Sequence, residues 1–430
     1  MNIAKIIFRT RSIEGGVHLS TIAFLTLAVL FVVPWVLLAL HTHDHSHNTS
    51  LNENPASGDP ATPTPTTTNV LEFRTGPWGR LAATPMIISP LDSALPAGWS
   101  RPTPTTWLFA GHTRSSLAKF LASLNLFEDE KSDLLDATRW QVETDGIRIA
   151  PRPETILSLD PVNRLKLFAE LAKHPSNQSY YQPWSLRKST FESALNASAL
   201  SDATREMIRN VALPSGQRIF VADAATVVGS ITNEQEKLRA IRFLKSAETY
   251  VVSLHVDPDT DLQQLLSYWG GHANRDQIRP ILESTIRSGQ AGVIDLLHLL
   301  PDFASDRLYT YPDAASAADG VRRDCHWSSL NFFAATPDDR LGESTYVQEF
   351  VMKHYYQSAD APAFGDIIFF TTRDEQTIHS AVYLAGNLAF TKNGDDHLQP
   401  WMIMDLDDLQ ELYSAYSRSG VTRQTWKLKE

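Results

Sequence analysis

The sequence predicts an α+β protein with a single N-terminal transmembrane helix. Residues 19–40 contain no charged side chain. Beyond residue 70, apolar residues recur at helical spacings in some segments and form short runs bounded by Gly and Asp in others, which is typical of mixed helices and strands. A chain of 430 residues is longer than one hydrophobic core usually organises. We therefore expect two folded units, residues 70–312 and 313–430.

The charge-free segment LSTIAFLTLAVLFVVPWVLLAL is long enough, as a helix, to cross a hydrocarbon layer of about 30 Å. Lys5, Arg9 and Arg11 precede it, whereas the following stretch HTHDHSHNTSLNENP has no Lys or Arg. This bias places residues 1–18 in the cytoplasm and everything after residue 40 outside it. A cleaved signal peptide would have a shorter apolar region and an A-x-A site. We interpret the segment as an uncleaved signal anchor.

Residues 41–69 are rich in Thr, Pro, Asn and Ser and nearly free of large apolar side chains. This composition predicts a flexible tether. Four alternating histidines, at positions 41, 43, 45 and 47, could bind a transition metal. Because no further ligand is identifiable, we interpret them as part of a polar linker, and we expect neither a metal nor another cofactor.

The charge of the chain argues against nucleic acid as a partner. The formal net charge is −11, and binding to a phosphate backbone requires concentrated Lys and Arg side chains. We therefore expect no nucleic-acid partner.

Residues 70–312 show a mixed pattern without a catalytic motif. Apolar spacing and turn residues predict the following elements. Helices are expected at 115–127, 128–140, 201–213, 233–247, 277–289 and 291–303, and strands at 145–151, 217–228 and 249–256. This is an α+β domain whose fold and role the sequence does not name.

Cys325 is the only cysteine of the chain. In an oxidising compartment structural cysteines come in pairs, so a single one is either a buried apolar residue or a reactive thiol. The segment DCHWSSLNFFAA predicts a helix with Cys325 in its first turn. Unsatisfied N–H groups and the helix dipole stabilise an anion there and lower the pKa of a thiol.

Two segments after this helix predict a small antiparallel sheet. FGDIIFFTT, residues 364–372, has a Gly-Asp turn before an apolar run, and IHSAVYLAGNLAFTKNG, residues 378–394, indicates two strands joined around Gly386 and Asn387. A histidine, His379, begins the first of these two strands. A helix that carries the cysteine thus precedes a sheet that carries a histidine.

These residues resemble the NlpC-type cell-wall cysteine peptidases, a bacterial branch of the papain-like fold. The likeness covers about 110 residues and rests on Asp324 and Cys325, on GDIIFF from Gly365 and on HSAVYL from His379, in that order. It implies a papain-like C-terminal domain, a bacterial inner membrane with the folded units periplasmic, and hydrolysis of peptide or isopeptide bonds in peptidoglycan stem peptides. It also implies that Cys325 is the nucleophile, that His379 is the general base and that helix-start N–H groups stabilise the oxyanion.

The chain departs from that family at two places. Where the family has a small residue shortly after the cysteine, this sequence has the bulky Trp327, which could narrow the site. The group that orients the imidazole could be Thr391, Lys392 or Asn393. We choose Asn393, because a side-chain amide accepts a hydrogen bond from an imidazole N–H and a lysine does not.

Several alternatives stay open. Cys325 could be a small core residue and His379 a strand histidine satisfied by its surroundings. His326, His354 and His397 are alternative bases. The domain could also be a catalytically inactive papain-like module that binds a peptide or a protein, or a related amidase or acyltransferase.

Overall fold

The computed structural model describes residues 7–8, 71–72, 75–95, 104–271, 275–312, 319–417 and 420–429. The expected membrane segment and most of the expected tether, with its four histidines, lie outside these ranges. Within them the chain forms helices and mainly antiparallel sheets, which confirms the α+β class. Among the described residues, no helix combines the length and apolar character that a membrane crossing requires.

The helices and strands are numbered in chain order. The α-helices are α1 Arg114–Ala122, α2 Glu128–Leu134, α3 Pro153–Ser158, α4 Pro161–Leu171, α5 Gln178–Tyr181, α6 Lys188–Ala197, α7 Asp202–Val211, α8 Ala224–Ser230, α9 Glu234–Leu244, α10 Leu262–Trp269, α11 Arg275–Arg287, α12 Asp302–Ser305, α13 Cys325–Leu330, α14 Ser344–His354 and α15 Leu406–Ser417. The strands are β1 Ile7–Phe8, β2 Leu71–Glu72, β3 Arg80–Ile88, β4 Trp107–Ala110, β5 Gln141–Glu143, β6 Gly146–Ile149, β7 Trp184–Arg187, β8 Leu213–Ser215, β9 Arg218–Val221, β10 Ala247–Val256, β11 Gly292–Asp295, β12 Tyr355–Ser358, β13 Ile367–Thr372, β14 Gln376–Ala385, β15 Leu388–Lys392, β16 Trp401–Asp405 and β17 Val421–Leu428. Short 3-10 helices occur at Asp92–Ala94, Ala137–Arg139, Leu296–Leu299 and Asp339–Gly342.

The strands form four sheets. The largest has the antiparallel order β12-β17-β13-β14-β15-β16, and β1 pairs in parallel with β14. The others have the orders β11-β10-β3-β2, β4-β6-β5 and β7-β9-β8. The predicted cysteine helix and the predicted antiparallel strands over 366–371 and 379–384 are confirmed, with the first strand at Ile367–Thr372.

Strand β14 presents its two faces to two different helices. Val382 packs in the apolar cluster that contains Leu330 of α13, whereas Ala381 packs in the cluster that contains Leu412 of α15. Successive side chains of a strand point to opposite faces of its sheet. Helices α13 and α15 therefore lie against opposite faces of the largest sheet.

The upstream region and the largest sheet meet at β10 and β16. The Thr249 hydroxyl donates to the Ile403 carbonyl at 3.0 Å and accepts from the Ile403 N–H at 2.9 Å. One apolar cluster includes Leu254 and Trp269 from before the predicted boundary at 312–313 and Trp327 and Phe369 from after it. Apolar contacts thus continue across that boundary.

Two sequence predictions for the upstream region are wrong. The expected strand over 217–228 ends at Val221 and is followed by α8, and the expected helix over 291–303 begins as strand β11. Strand β11 forms because it pairs with β10 over four register positions. Such tertiary pairing overrides local apolar spacing.

Trp327 lies in the core. It is 1% exposed, its ring packs against those of Phe303 and Trp401, and its indole N–H donates to Asp339 Oδ1 at 3.2 Å. The bulky side chain that departs from the family pattern is therefore a packing residue of α13.

We predict that Trp327→Ala lowers the free energy of unfolding by about 3–5 kcal/mol, because it leaves a large cavity and removes the indole hydrogen bond. Urea denaturation measures the change. Tyr356→Ala, at a site that is 47% exposed, is the control and should change stability by less than about 0.5 kcal/mol. Faster alkylation of Cys325 in Trp327→Ala with unchanged stability would show instead that the indole covers the thiol.

Candidate functional site

Helix α13 begins at Cys325, and Asp324 caps it. The Asp324 carboxylate accepts from the backbone N–H groups of His326 and Trp327 at 2.9 and 3.0 Å. An N-cap aspartate satisfies the donors that a helix start leaves free. The same donors are therefore not available to an oxyanion while Asp324 holds them.

The Cys325 thiol is buried, and the backbone N–H of Ser380 donates to its sulfur. Burial raises the pKa of the thiol well above its usual range, and the neighbouring Asp324 carboxylate raises it further. The expectation of a lowered thiol pKa is therefore wrong for this structure. Burial is the main cause of the difference, and the Asp324 cap adds to it by bringing a negative charge to the helix start, which would otherwise favour an anion.

The His379 imidazole is fully buried on β14. Its Nε2 lies 2.9 Å from the Thr391 hydroxyl, and its Nδ1 has no hydrogen-bond partner. We assign the ring proton to Nε2, because a buried donor without an acceptor is rarer than a buried acceptor without a donor. Burial holds the pKa of His379 well below its usual range, and the nearby His326 lowers it further. The ring is neutral, and its Nδ1 is free to accept a proton.

The N–H that contacts the Cys325 sulfur belongs to Ser380, the residue that follows His379. The Ser380 side chain points to the α13 face of the sheet, whereas the His379 ring lies under Tyr413 on the α15 face. Neither ring nitrogen of His379 is hydrogen-bonded to the thiol, so the structure places the two side chains near one strand position but on opposite faces. Both are neutral and buried in this structure.

Thr391, and not Asn393, contacts the imidazole. The Asn393 amide donates to the sulfur of Met404 at 3.2 Å, and its oxygen accepts from the Tyr413 hydroxyl at 3.5 Å. The prediction that Asn393 binds the ring is therefore wrong. Thr391 lies two positions before Asn393, and the loop around Gly386 left the strand register that chooses between them open in the sequence.

Of the three alternative bases, His326 lies next to the thiol and the other two lie elsewhere. His326 Nδ1 bonds to the Ser380 hydroxyl at 2.9 Å. His354 ends α14, where its ring packs at an angle against that of Phe350, with centroids 4.6 Å apart. His397 lies in the loop after β15, with Nδ1 3.5 Å from Asp396.

Sequence reasoning missed Tyr413 and the role of Lys392. The Tyr413 ring, on α15, stacks on the imidazole with centroids 4.1 Å apart and planes 16° apart. Lys392 is fully buried, and its ammonium donates to the carbonyls of Gly394 and Asp396 at 3.0 and 2.9 Å. Burial lowers the pKa of Lys392 to about 8. Neither feature has a local sequence signal. An aromatic residue on a helix face usually packs in the core, and a lysine at a strand end is usually exposed to solvent.

Two clefts lie near this site. The Tyr413 cleft, of about 440 Å³, is lined by Tyr413, Tyr416 and Asn393 on one side and by upstream residues such as Gln178 and Glu248 on the other. The Lys392 cleft, of about 270 Å³, is lined by Lys392, His397 and the loops around them. Neither cleft is lined by Cys325 or His379. Both side chains are buried, so the thiol and the imidazole are closed to a substrate in this conformation.

The described residues contain no group of three or more His, Cys, Asp or Glu side chains that could hold a metal ion. Comparison with known proteins finds no protein-family model that matches the chain, no curated protein and no solved structure with significant similarity. The interpretation of the site therefore rests on its own geometry.

We predict that Tyr413→Ala raises the pKa of His379 toward its usual value of about 6.5, because water would reach the ring and solvate its charged form. An NMR titration of the imidazole proton, assigned with His379→Gln, measures the shift. Tyr416→Ala is the control, since Tyr416 lines the same cleft and contacts the Tyr413 ring edge-on at 5.6 Å without covering the imidazole. A His379 pKa that stays low in folded Tyr413→Ala would contradict the covering role.

Proposed function

We propose that the protein is a membrane-anchored cysteine hydrolase of the bacterial envelope, held closed in this structure, and that residues 313–430 have a papain-like fold. The observation that carries the proposal is the state of the buried imidazole. One ring nitrogen of His379 is bound to Thr391, the other is a free acceptor, and the next residue, Ser380, contacts the only thiol. A general base needs a free acceptor within reach of the proton, so in the proposed active state the ring turns from the α15 face of the sheet toward the thiol.

The proposed mechanism uses three side chains. His379 Nδ1 takes the proton of Cys325, and the thiolate attacks an amide carbonyl. The imidazolium then gives its proton to the leaving amine, and water hydrolyses the thioester to a carboxylate and the free thiol. Thr391 holds the ring by accepting from Nε2.

The donor for the oxyanion differs from the expectation. The backbone N–H groups of Ser380 and His326 both act on the sulfur, but the N–H groups of His326 and Trp327 are also bound by Asp324. We assign the oxyanion contact to Ser380, because Asp324 does not bind its N–H and a useful donor must lie close to the position where the charge develops.

The closed state explains why neither group is ionised. Burial raises the pKa of Cys325 and lowers that of His379, so proton transfer between them in a dry site would create two charges with little solvation. Entry of substrate or water has to precede chemistry. The substrate class, a peptide or isopeptide bond of cell-wall stem peptides, comes from the resemblance alone.

The hydrolase proposal is tested with full-length protein in detergent and isolated bacterial sacculi, with released fragments identified by mass spectrometry. We expect cleavage that Cys325→Ser and His379→Gln lower by at least about 1,000-fold, because each removes one member of the catalytic pair. His354→Gln is the matched control and should retain activity. Equal fragment release by all variants, each shown to be folded, would exclude this pair as the catalytic unit.

A second candidate is a non-catalytic module that binds a peptide or a partner protein. The burial and raised pKa of Cys325 favour it. In that case wild type releases no fragment, and a strain with Cys325→Ser keeps the cellular role of the protein. Loss of that role in a folded Cys325→Ser protein would favour the hydrolase.

Insertion of residues 19–40 into a membrane is incompatible with one strand pairing of the structure, that of β1 with β14. Ile7 and Phe8 pair with Gln376 and Thr377, which requires both segments on one side of the membrane. Hydrogen bonds of such a short pairing contribute roughly 0.5–1.5 kcal/mol each. Fourteen of residues 19–40 are Leu, Ile, Phe or Val, and each favours insertion by about 0.3–0.6 kcal/mol near the helix centre. We therefore propose that the anchor prevails.

We predict that a cysteine placed at Thr66 reacts with an impermeant maleimide in cells with a permeabilised outer membrane, whereas a cysteine at Lys5 reacts only after detergent treatment. Both variants carry Cys325→Ala. The Thr66 position lies beyond the span and the Lys5 position before it, so opposite labelling follows from an N-terminus in the cytoplasm. Labelling of both positions in intact inner membranes would support the pairing instead.

A further inference from the structure

We propose that the Lys392 cleft is a subsite that binds a carboxylate of the ligand beside the Cys325 thiol. That the ligand is a substrate rests on the proposed hydrolase function. That a carboxylate binds in the cleft depends only on the residues of the cleft.

The cleft has a buried cation at its base. Lys392 lines it, is fully buried and has no carboxylate within 4.0 Å of its ammonium among the described residues. Two of its three N–H groups are bound to the carbonyls of Gly394 and Asp396, which leaves the third without a partner. A buried charge without an ion-pair partner costs several kcal/mol, and a bound anion would offset this cost.

Two further nitrogens of the cleft are buried without partners. They are Nε of Arg322 and Nε2 of His397, and both residues line the cleft. Arg322 uses its NH2 on Asp395 at 3.1 Å, which leaves Nε unused. Buried polar atoms in native proteins are usually paired, so unpaired atoms that share a cleft indicate a missing ligand group.

The acids of the cleft are already engaged. Asp395 binds Arg322, and Asp396 binds Lys245 at 3.0 Å and the N–H of Leu398 at 2.9 Å. The charges of Asp396, Asp324 and Asp395 act on Lys392, but among the described residues none of these carboxylates lies within 4.0 Å of its ammonium, so the direct contact is left for a ligand. A cleft of about 270 Å³ has room for one acidic group and a short stem.

The cleft adjoins the thiol. The charge of Lys392 acts on Cys325, and Arg322 NH2 lies 3.7 Å from Asp324, the residue before the cysteine. A carboxylate bound there would place an attached acyl group near the sulfur. The preferred substrate therefore carries a free carboxylate close to the bond that is cleaved.

Two alkylating reagents that differ in charge test the inference on full-length protein. Iodoacetate is a carboxylate, and iodoacetamide is its neutral counterpart. We expect the ratio of their rate constants at Cys325 to exceed the ratio for the urea-unfolded chain by roughly tenfold, which corresponds to about 1.4 kcal/mol. Lys392→Met should abolish this preference. Arg340→Gln is the control, because Arg340 is paired with Asp338 and lies outside the cleft.

A second measurement keeps the test decisive if the thiol reacts with neither reagent or if Lys392→Met unfolds. Glutarate is titrated into wild type, Cys325→Ser and Arg322→Gln, and the His397 ring is followed by NMR. Burial lowers the pKa of His397, while Asp396 raises it and Lys245 and Lys392 lower it. A bound carboxylate should raise the pKa of His397 in wild type and in Cys325→Ser. The increase should be smaller in Arg322→Gln, which lacks one of the cations of the cleft.

The outcomes separate the two proposals. If glutarate binds but the protein does not hydrolyse sacculi, the subsite stands and the hydrolase proposal is rejected. Hydrolysis without a charge preference and without glutarate binding rejects the subsite alone. An equal response to inorganic phosphate would replace the carboxylate assignment by a general anion site, and no response to either anion overturns the inference.

Discussion

The contact between the Ser380 N–H and the Cys325 sulfur is the interaction on which the site depends. It joins the start of α13 to strand β14, at the residue that follows His379. The strand also sets the two faces of the sheet, because successive side chains alternate. The Ser380 side chain accordingly bonds to His326 and Ser329 of α13, while the His379 ring lies under Tyr413 of α15.

Burial then decides the electrostatics. A thiol and an imidazole in contact with water would exchange a proton readily, but both are enclosed here and both are neutral. The Asp324 cap also raises the pKa of the thiol. Its carboxylate binds the N–H groups at the helix start, which would otherwise stabilise a thiolate, and places a negative charge beside the sulfur. Lys392 is the opposing element, since its buried ammonium favours an anion nearby. The site therefore combines a suppressed thiolate with a buried ammonium that is bound to two carbonyls but, among the described residues, forms no ion pair.

Much of the local structure was predictable. The Asp-Cys pair indicated a helix that begins at Cys325, and the Gly-Asp turn and apolar runs indicated β13 and the β14–β15 hairpin, because capping and apolar periodicity act within a few residues. The stretch over 291–303 was misassigned, since its first residues pair with β10. The orienting residue was missed because the register of β15 depends on how the hairpin turns at Gly386 and Asn387.

The sequence by itself determined the α+β class, the place of the only thiol at a helix start and the histidine on a following strand. Those features depend on residue type and short-range spacing. The tertiary structure alone decided that Thr391 and not Asn393 meets the imidazole, that Tyr413 covers it, that Trp327 packs in the core and that the thiol has a raised pKa. These outcomes depend on which distant segments exclude water and bring charges together, and a pKa or a ring contact follows from that three-dimensional surrounding rather than from neighbours along the chain.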